Sequence, residues 1–216
     1  MRTNDRLICD GFFHLYYKED RPISLFTQEE NYLQFLQLFF TYVSPIAEVY
    51  SYCLLPNQLH FLLKIKPEKM VFTYFKIEGR FPDETITLED IQALSARPEF
   101  QQQNILSIHL QKQFTNFFQA YTRELKQELG RKDNQIVHYE QALLTESDEI
   151  KTCILHIHAV AVEKGFGAEF GAWRYNSYNA MLSDKPTKLM RKEVIDIFGS
   201  KDNFIKQHQL EIKRTA

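Results

Sequence analysis

Two adjacent strands are predicted by the segment YSYCLLPNQLHFLLKI, which spans Tyr50–Ile65. The first strand, Glu48–Leu55, is rich in aromatic and other strand-favouring residues, and Leu59–Ile65 is a second apolar run. Between them lies the pair Pro56-Asn57, and both of these residue types favour turns. The segment therefore predicts an antiparallel hairpin.

Further elements are predicted on both sides of this hairpin. The aromatic-rich segment GFFHLYYK at residues 11–18 predicts another strand, and so does Ile136–Leu143. Apolar residues at helical spacing predict helices over Gln28–Tyr42, 105–129, Ser147–Lys164, Leu189–Phe198 and Lys201–Gln209. Thr27 and Glu30 match a capping box before the first helix, and Ser147 is predicted as the N-cap of the third.

The order of these elements predicts the fold class. A β-α-β-β-α-β-α sequence indicates an α+β protein with a ferredoxin-like antiparallel sheet, helices on one face and extra C-terminal helices. We expect a main domain over residues 1–182 and a helical extension over 183–216. Residues 66–104 are predicted to form an irregular, acidic insertion with a short helix over Leu88–Leu94.

Composition narrows the class of protein. The chain has 216 residues, of which 44% are hydrophobic and 25% charged, which is typical of a globular protein and excludes a disordered or collagen-like chain. There is neither an apolar run of membrane-spanning length nor an N-terminal secretory signal, so we expect a cytoplasmic protein that does not enter the membrane. The three scattered cysteines indicate reduced thiols.

The charge balance gives only weak guidance on the partner. Its net charge of −2 lacks the basic excess usual in nucleic-acid-binding proteins. Residues 184–216 are nevertheless basic, with eight Lys or Arg and five Asp or Glu. A basic tail on an acidic body is compatible with a nucleic-acid partner.

Several segments together resemble the REP-associated tyrosine transposases of the HUH endonuclease superfamily. The segment YCLLPNQLHFLL resembles the family pattern Y-C-L-M-P-N-H-x-H-L-L-I. FFHLYYKEDRPISLFTQEENYLQFL resembles the opening of the family, LQKQFTNFFQAYTRELKQELGRK resembles its central helix, and ILHIHAVAVEKGF followed by WRYNSYNAML resembles its later motifs. The resemblance implies the HUH endonuclease fold and covers nearly the whole chain outside the insertion.

The resemblance also implies a chemistry. In the family, the two histidines of H-x-H bind a divalent metal such as Mg²⁺ or Mn²⁺, which polarises a phosphate of single-stranded DNA. A tyrosine on a helix then attacks that phosphate and forms a covalent phosphotyrosine. The family positions this strand through DNA hairpins, so single-stranded or hairpin DNA is the implied partner. A homodimer is also compatible with the resemblance.

The chain departs from the family at both chemical positions. Gln58 and His60 occupy the H-x-H pattern, so one imidazole is replaced by a neutral amide, although alternation on a strand still directs both side chains to one face. His156 occupies the position of the nucleophilic tyrosine and cannot form a phosphotyrosine. Tyr175 and Tyr178 are interpreted as packing residues rather than substitute nucleophiles.

These departures favour a transposase-like protein that keeps the fold and has lost the nicking chemistry. DNA contacts are predicted for basic residues on and after the central helix, namely Lys112, Arg123, Lys126, Arg131 and Lys132. Two alternatives stay open at this point. One is an active transposase with Mg²⁺ or Mn²⁺ on Gln58 and His60, and the other is a protein-interaction module without nucleic acid.

Overall fold

Four strands form one antiparallel sheet in the computed structural model, which describes residues 5–18, 24–97, 104–129 and 139–215. The strand order is β2-β3-β1-β4, and the strands span Phe12–Lys18 (β1), Ala47–Leu55 (β2), Gln58–Ile65 (β3) and Glu140–Leu144 (β4). Within these ranges the helices are Glu29–Val43 (α1), Glu68–Ile77 (α2), Leu88–Ser95 (α3), Ile105–Leu129 (α4), Ser147–Glu163 (α5), Tyr178–Leu182 (α6), Arg191–Phe198 (α7) and Lys201–Thr215 (α8). The predicted hairpin and the α+β class are confirmed.

Helices cover both faces of the sheet, so the prediction that they lie on one face is wrong. Successive residues of β3 point to opposite faces. Phe61 stacks on Phe39 of α1 with ring centroids 4.0 Å apart, whereas the ring of His60 lies 5.6 Å from that of His156 in α5. Residues on both faces of β3 are buried, because α5 covers the face that the ferredoxin-like helices leave open.

The segment predicted to be an irregular insertion contains two helices. The helix α3 matches the predicted short helix, but α2 was not predicted. Pro67 is the N-cap of α2, where a missing N–H costs little, and it therefore starts the helix rather than breaking the chain. Val71 and Phe75 lie one turn apart on α2 and are buried in the hydrophobic core.

The N-caps of two helices differ from those predicted. Helix α1 begins after Gln28, and Asn31 rather than Glu30 accepts the backbone N–H groups of Thr27 and Gln28, each at 3.1 Å. At α5 the N-cap is Glu146 instead of Ser147. The carboxylate of Glu149 accepts the backbone N–H of Glu146 at 3.2 Å. In both cases a side chain at the third helical position accepts the backbone N–H of the N-cap residue, as in a capping box.

A buried chain of hydrogen bonds joins the C-terminal helix to the rest of the molecule. Phe204 O can only accept, so His208 Nδ1 donates to it at 2.7 Å. The bare Nε2 of His208 then accepts from His158 Nδ1 at 2.8 Å. Ser177 Oγ in turn donates to His158 Nε2 at 2.8 Å and accepts from the N–H of Tyr52 at 2.9 Å. Every link of this chain has a single consistent proton position.

The helices of residues 183–216 pack on the main body. Val194, Phe198 and Phe204 are buried in the same core cluster as the sheet, and Leu189 bridges Val49 of β2. The division into domain 1–182 and extension 183–216 stays a prediction. None of the helices in the described ranges has both the length and the apolar character required to cross a bilayer.

Candidate functional site

Two histidines lie side by side on the sheet face that α5 covers. His14 of β1 and His60 of β3 are both buried, and His14 Nε2 lies 3.1 Å from His60 Nδ1. Gln58, the other residue of the H-x-H pattern, is also buried and shares the face of His60 by strand alternation. The predicted residue His60 therefore meets a partner, His14, that the sequence did not single out, whereas Gln58 lies further along the strand, opposite Lys18.

Helix α5 brings an exposed third histidine to this pair. The ring of His156 lies edge-on to both imidazoles, with centroids 5.6 Å from His60 and 6.0 Å from His14. We call His14, His60 and His156 the histidine cluster. His156, which the sequence predicted at the position of the family nucleophile, thus faces β3, the strand that carries Gln58 and His60. His158, two residues further on, points away into the core, because such residues do not share a helix face.

The two buried imidazoles are neutral at pH 7. Burial lowers the pKa of His14 to about 4, and the nearby His156 lowers it further. Burial also lowers the pKa of His60 to about 3, with smaller contributions from His14, His156 and Lys164. His60 Nδ1 is engaged with His14, while His60 Nε2 is buried without a hydrogen-bond partner among the described residues. This nitrogen is the free polar atom of the cluster.

A tyrosine and a carboxylate border the cluster on the same face. The ring of Tyr16 stacks against His60 with centroids 6.1 Å apart, and its hydroxyl donates to Glu140 Oε2 at 2.6 Å. Burial raises the pKa of Tyr16 to about 12, and the hydrogen bond to Glu140 adds to this. The phenol therefore keeps its proton at neutral pH and serves to tie β1 to β4.

A cavity of about 450 Å³ opens beside the cluster, between the sheet and the first turns of α5. His14 and His156 line one side, and the carboxylates of Asp148 and Glu149 line another. Hydrogen bonds from the backbone N–H groups of Thr145 and Glu146 lower the pKa of Glu149. Carboxylates at this entrance repel a phosphate group, so the cavity suits a neutral or cationic group better than a phosphodiester.

The residues at the H-x-H position do not fit a Mg²⁺ or Mn²⁺ ion. Such ions favour carboxylate and other oxygen ligands, whereas this position offers one amide and one imidazole. The described residues include no group of three or more His, Cys, Asp or Glu side chains placed to hold a metal. We therefore derive no chemical step through a metal at this site.

Restoring the H-x-H pattern should create a metal site. In the double variant Gln58→His, His156→Tyr, two imidazoles share one face of β3 beside a phenol. We expect Mn²⁺ to bind the double variant more than about tenfold more tightly than it binds the wild type. Even a residue outside the ligand shell can change metal affinity by about that factor, and this variant changes a ligand. Isothermal titration calorimetry measures this, with Gln58→Leu, His156→Tyr as the matched control. Equal affinities for the three proteins would show that position 58 does not frame a metal site.

The predicted DNA-binding residues are only partly described. Lys112 and Arg123 are exposed on α4. They are eleven positions apart, which places them about 16 Å apart along the helix and within about 20° around it. Lys126 belongs to α4, but the structure does not describe its side chain. Arg131 and Lys132 lie outside the described residues. The two described residues thus form a basic stripe on one face of α4.

The two tyrosines considered as substitute nucleophiles are packing residues. Tyr175 stacks on Tyr32 with centroids 3.9 Å apart, and Tyr178 stacks on Phe204 at 5.5 Å. Burial raises the pKa of each phenol. Their packing interpretation is confirmed.

Comparison with known proteins identifies one informative structure. The fold is similar to that of a REP-associated tyrosine transposase bound to a REP hairpin. The two share 11% sequence identity with a TM-score of 0.51, over 86% of this chain and 89% of that one. No protein-family model matches the chain, and no curated protein sequence matches it. The similarity establishes a distant structural relationship.

Sequence reasoning missed His14 and the Tyr16–Glu140 contact. His14 is a polar residue within the aromatic strand 11–18, and alternation places it on the face of Tyr16. The missing information was the pairing of β1 with β3, which sets Tyr16 opposite His60. A histidine in an otherwise apolar strand is the signal that could have drawn attention to His14.

Proposed function

We propose that this protein is a transposase-like DNA-binding protein with the HUH endonuclease fold, which binds hairpin or single-stranded DNA without cutting it. The observation that carries the proposal is the likeness in fold to a transposase bound to a DNA hairpin, which extends over 86% of the chain.

The loss of strand cleavage is supported by three features of the candidate site. A histidine, His156, stands at the position of the family nucleophile. The H-x-H position lacks one imidazole and is a poor fit for Mg²⁺ or Mn²⁺, so we expect weak binding of these ions. Finally, Asp148 and Glu149 border the cavity where a scissile phosphate would approach the cluster.

Binding of DNA is supported by the basic stripe on α4. Lys112 and Arg123 project from one face of the helix, and both are exposed. Cations spaced along a helix face can contact successive phosphates and position a nucleic acid without reading its sequence. The acidic balance of the whole chain does not oppose this, since it is the local surface that meets the phosphates.

Titration of a labelled DNA hairpin tests the proposal. We expect fluorescence anisotropy to show binding that weakens between 50 and 200 mM salt, with a slope of about −0.7 to −0.9 per phosphate contact. On a denaturing gel with Mg²⁺ or Mn²⁺ we expect no covalent adduct between protein and DNA. The control is the double variant Lys112→Glu, Arg123→Glu, which should bind far more weakly.

The contrary outcomes identify the alternatives. A covalent adduct would establish an active transposase of unusual composition. Absence of DNA binding at any salt concentration would instead favour a protein-interaction module, as the net charge of −2 suggests.

A further inference from the structure

The cavity of about 450 Å³ beside the histidine cluster has exposed polar residues on one side and buried residues on the other. Its exposed lining residues all come from α5 and are Asp148, Glu149, Thr152 and His156. Its buried lining residues are His14 of β1, Leu144 of β4 and Cys153 of α5. The volume of this cavity, called the α5 cavity below, is within the range of about 300–1,000 Å³ that small-molecule sites occupy.

We propose that the α5 cavity binds a small organic amine in its protonated, ammonium form. The ammonium group lies between the carboxylates and His14, and the apolar body of the amine packs on Leu144 and Cys153. This inference goes beyond the proposed function, because the ligand is a small molecule whose binding does not depend on DNA.

The exposed side of the α5 cavity is negatively charged, and no Lys or Arg is among its described lining residues. Asp148 is exposed and makes neither a hydrogen bond nor an ion pair with a described residue. The hydrogen bonds that Glu149 accepts at the start of α5 lower its pKa, so it is charged at neutral pH. Lys151, the nearest cation along α5, lies over the ring of Phe198. The cavity therefore attracts a cation and repels a carboxylate or a phosphate.

A second observation, independent of the carboxylates, points to a ligand. His14 is only 6% exposed, and it lines the cavity from the sheet. Its Nε2 is engaged with His60 Nδ1, whereas its Nδ1 has no hydrogen-bond partner among the described residues. Since buried polar groups are normally paired, this nitrogen calls for a partner that enters the cavity.

The hydrogen bond between His14 and His60 allows that partner to be an N–H donor. When His14 Nε2 carries the proton and donates it to His60 Nδ1, His14 Nδ1 is bare and can accept. An ammonium group favours this arrangement, because it has three donors and no acceptor. Burial lowers the pKa of His14 to about 4, so the ring stays neutral beside the cation.

The buried side of the α5 cavity suits an apolar body. Leu144 and Cys153 are both buried, and burial raises the pKa of the Cys153 thiol, which therefore stays protonated and behaves as a small apolar group. The rings of His14 and His156 stand edge-on to each other with centroids 6.0 Å apart, and they add flat surfaces against which an aromatic ring can pack. An amine with an aromatic body covers this surface, whereas a hydrated metal ion would not.

Helix periodicity places the groups of α5 in line along the cavity. Asp148, Thr152 and His156 are spaced by four residues, so they share one face of the helix. That face closes the cavity against β1 and β4. The carboxylate, the hydroxyl and the imidazole are therefore all available to one bound molecule.

Isothermal titration calorimetry at pH 7 with phenethylamine, phenethyl alcohol and phenylacetate tests the ligand chemistry. The three probes share an aromatic body and differ in whether the head group is cationic, neutral or anionic. We expect phenethylamine to bind at least about tenfold more tightly than the alcohol, because hydrogen bonds between charged groups are stronger than those between neutral groups. Phenylacetate should show no binding.

The variant Asp148→Asn tests the position of the ammonium group, and Asp202→Asn is its matched control. Both aspartates are exposed in the first turn of a helix, Asp148 in α5 and Asp202 in α8. Asp148→Asn should weaken phenethylamine binding about threefold to fivefold, as expected for one ion pair in contact with solvent, and leave the alcohol unaffected. Asp202→Asn should match the wild type, and circular dichroism checks that both variants are folded.

Three results would overturn this inference. Equal affinities for the amine and the alcohol would show that the cavity does not recognise a cation. Equal loss of affinity in the two variants would assign the attraction to the net charge of the chain. Tighter binding of N-acetyl-lysine amide than of phenethylamine would assign the cavity to a lysine side chain of a protein partner. None of these results bears on DNA binding, so the inference and the proposed function fail separately.

Discussion

Lowering the pH from 7 to 5 should reduce the free energy of unfolding by several kcal/mol. Four buried histidines have pKa values below their ordinary value of 6.5. Burial lowers the pKa of His14 and His208 to about 4 and that of His60 to about 3, and it lowers the pKa of His158 well below its ordinary value. All four are neutral in the folded protein at pH 5.

The direction of this effect follows from proton binding. Between pH 6.5 and the folded pKa values, the unfolded chain binds more protons than the folded protein, so stability rises with pH in this window. The contribution of each histidine is fully present above pH 6.5 and is lost as the pH falls toward about 4. At pH 5 His14, His60 and His208 each cost about 2 kcal/mol, and His158 acts in the same direction, against a typical total stability of about 5–15 kcal/mol.

Urea unfolding followed by circular dichroism at pH 7, 6 and 5 measures this loss. His156→Ala is the comparison variant, because it removes a secondary cause of the low pKa of His14 and His60 while burial, the largest cause, remains, so most of the pH dependence should persist. A free energy of unfolding that is the same at pH 7 and pH 5 would mean that the buried imidazoles accept protons without cost in the folded state.

Replacing His158 should be the most destabilising single substitution among the histidines. His158→Ala breaks the hydrogen-bond chain in its middle and leaves His208 Nε2 without a donor and the hydroxyl proton of Ser177 without an acceptor, at about 1–3 kcal/mol each. It also leaves a cavity at a fully buried position. We expect a loss of about 3 kcal/mol or more.

The matched comparison is again His156→Ala, two residues away on the same helix. An exposed residue without a special contact usually changes stability by less than about 0.5 kcal/mol. Thermal unfolding should separate the two variants by several degrees, at about 2–4 °C per kcal/mol for a chain of this size. Similar melting temperatures for both variants would contradict the hydrogen bonds assigned to the buried chain that joins His208, His158 and Ser177.

Local sequence patterns were sufficient to predict most elements of the fold. The turn at Pro56-Asn57 predicted the hairpin, and the apolar residues at helical spacing over 105–129 predicted α4. The helix α2 was missed because residues 66–104 were predicted to be irregular, although Pro67 is a favourable helix start. The burial of the other sheet face by α5 was missed because strand alternation alone does not say which helix covers which side.

The candidate site was predictable only where its residues are close in sequence. Gln58 and His60 belong to one motif, and the alignment with the family located His156. The contact between His14 and His60 depends on the pairing of β1 with β3, and that of Tyr16 with Glu140 depends on the pairing of β1 with β4. Such partners, separated by tens of residues, leave no local periodic signal.

The exposure of His156 also bears on how such a gene can evolve. Its side chain hydrogen-bonds to none of the described residues, so its replacement removes no stabilising bond. In the genetic code, histidine and tyrosine codons differ by a single base. A histidine and a tyrosine at position 156 can therefore be exchanged by a single point mutation without loss of a hydrogen bond.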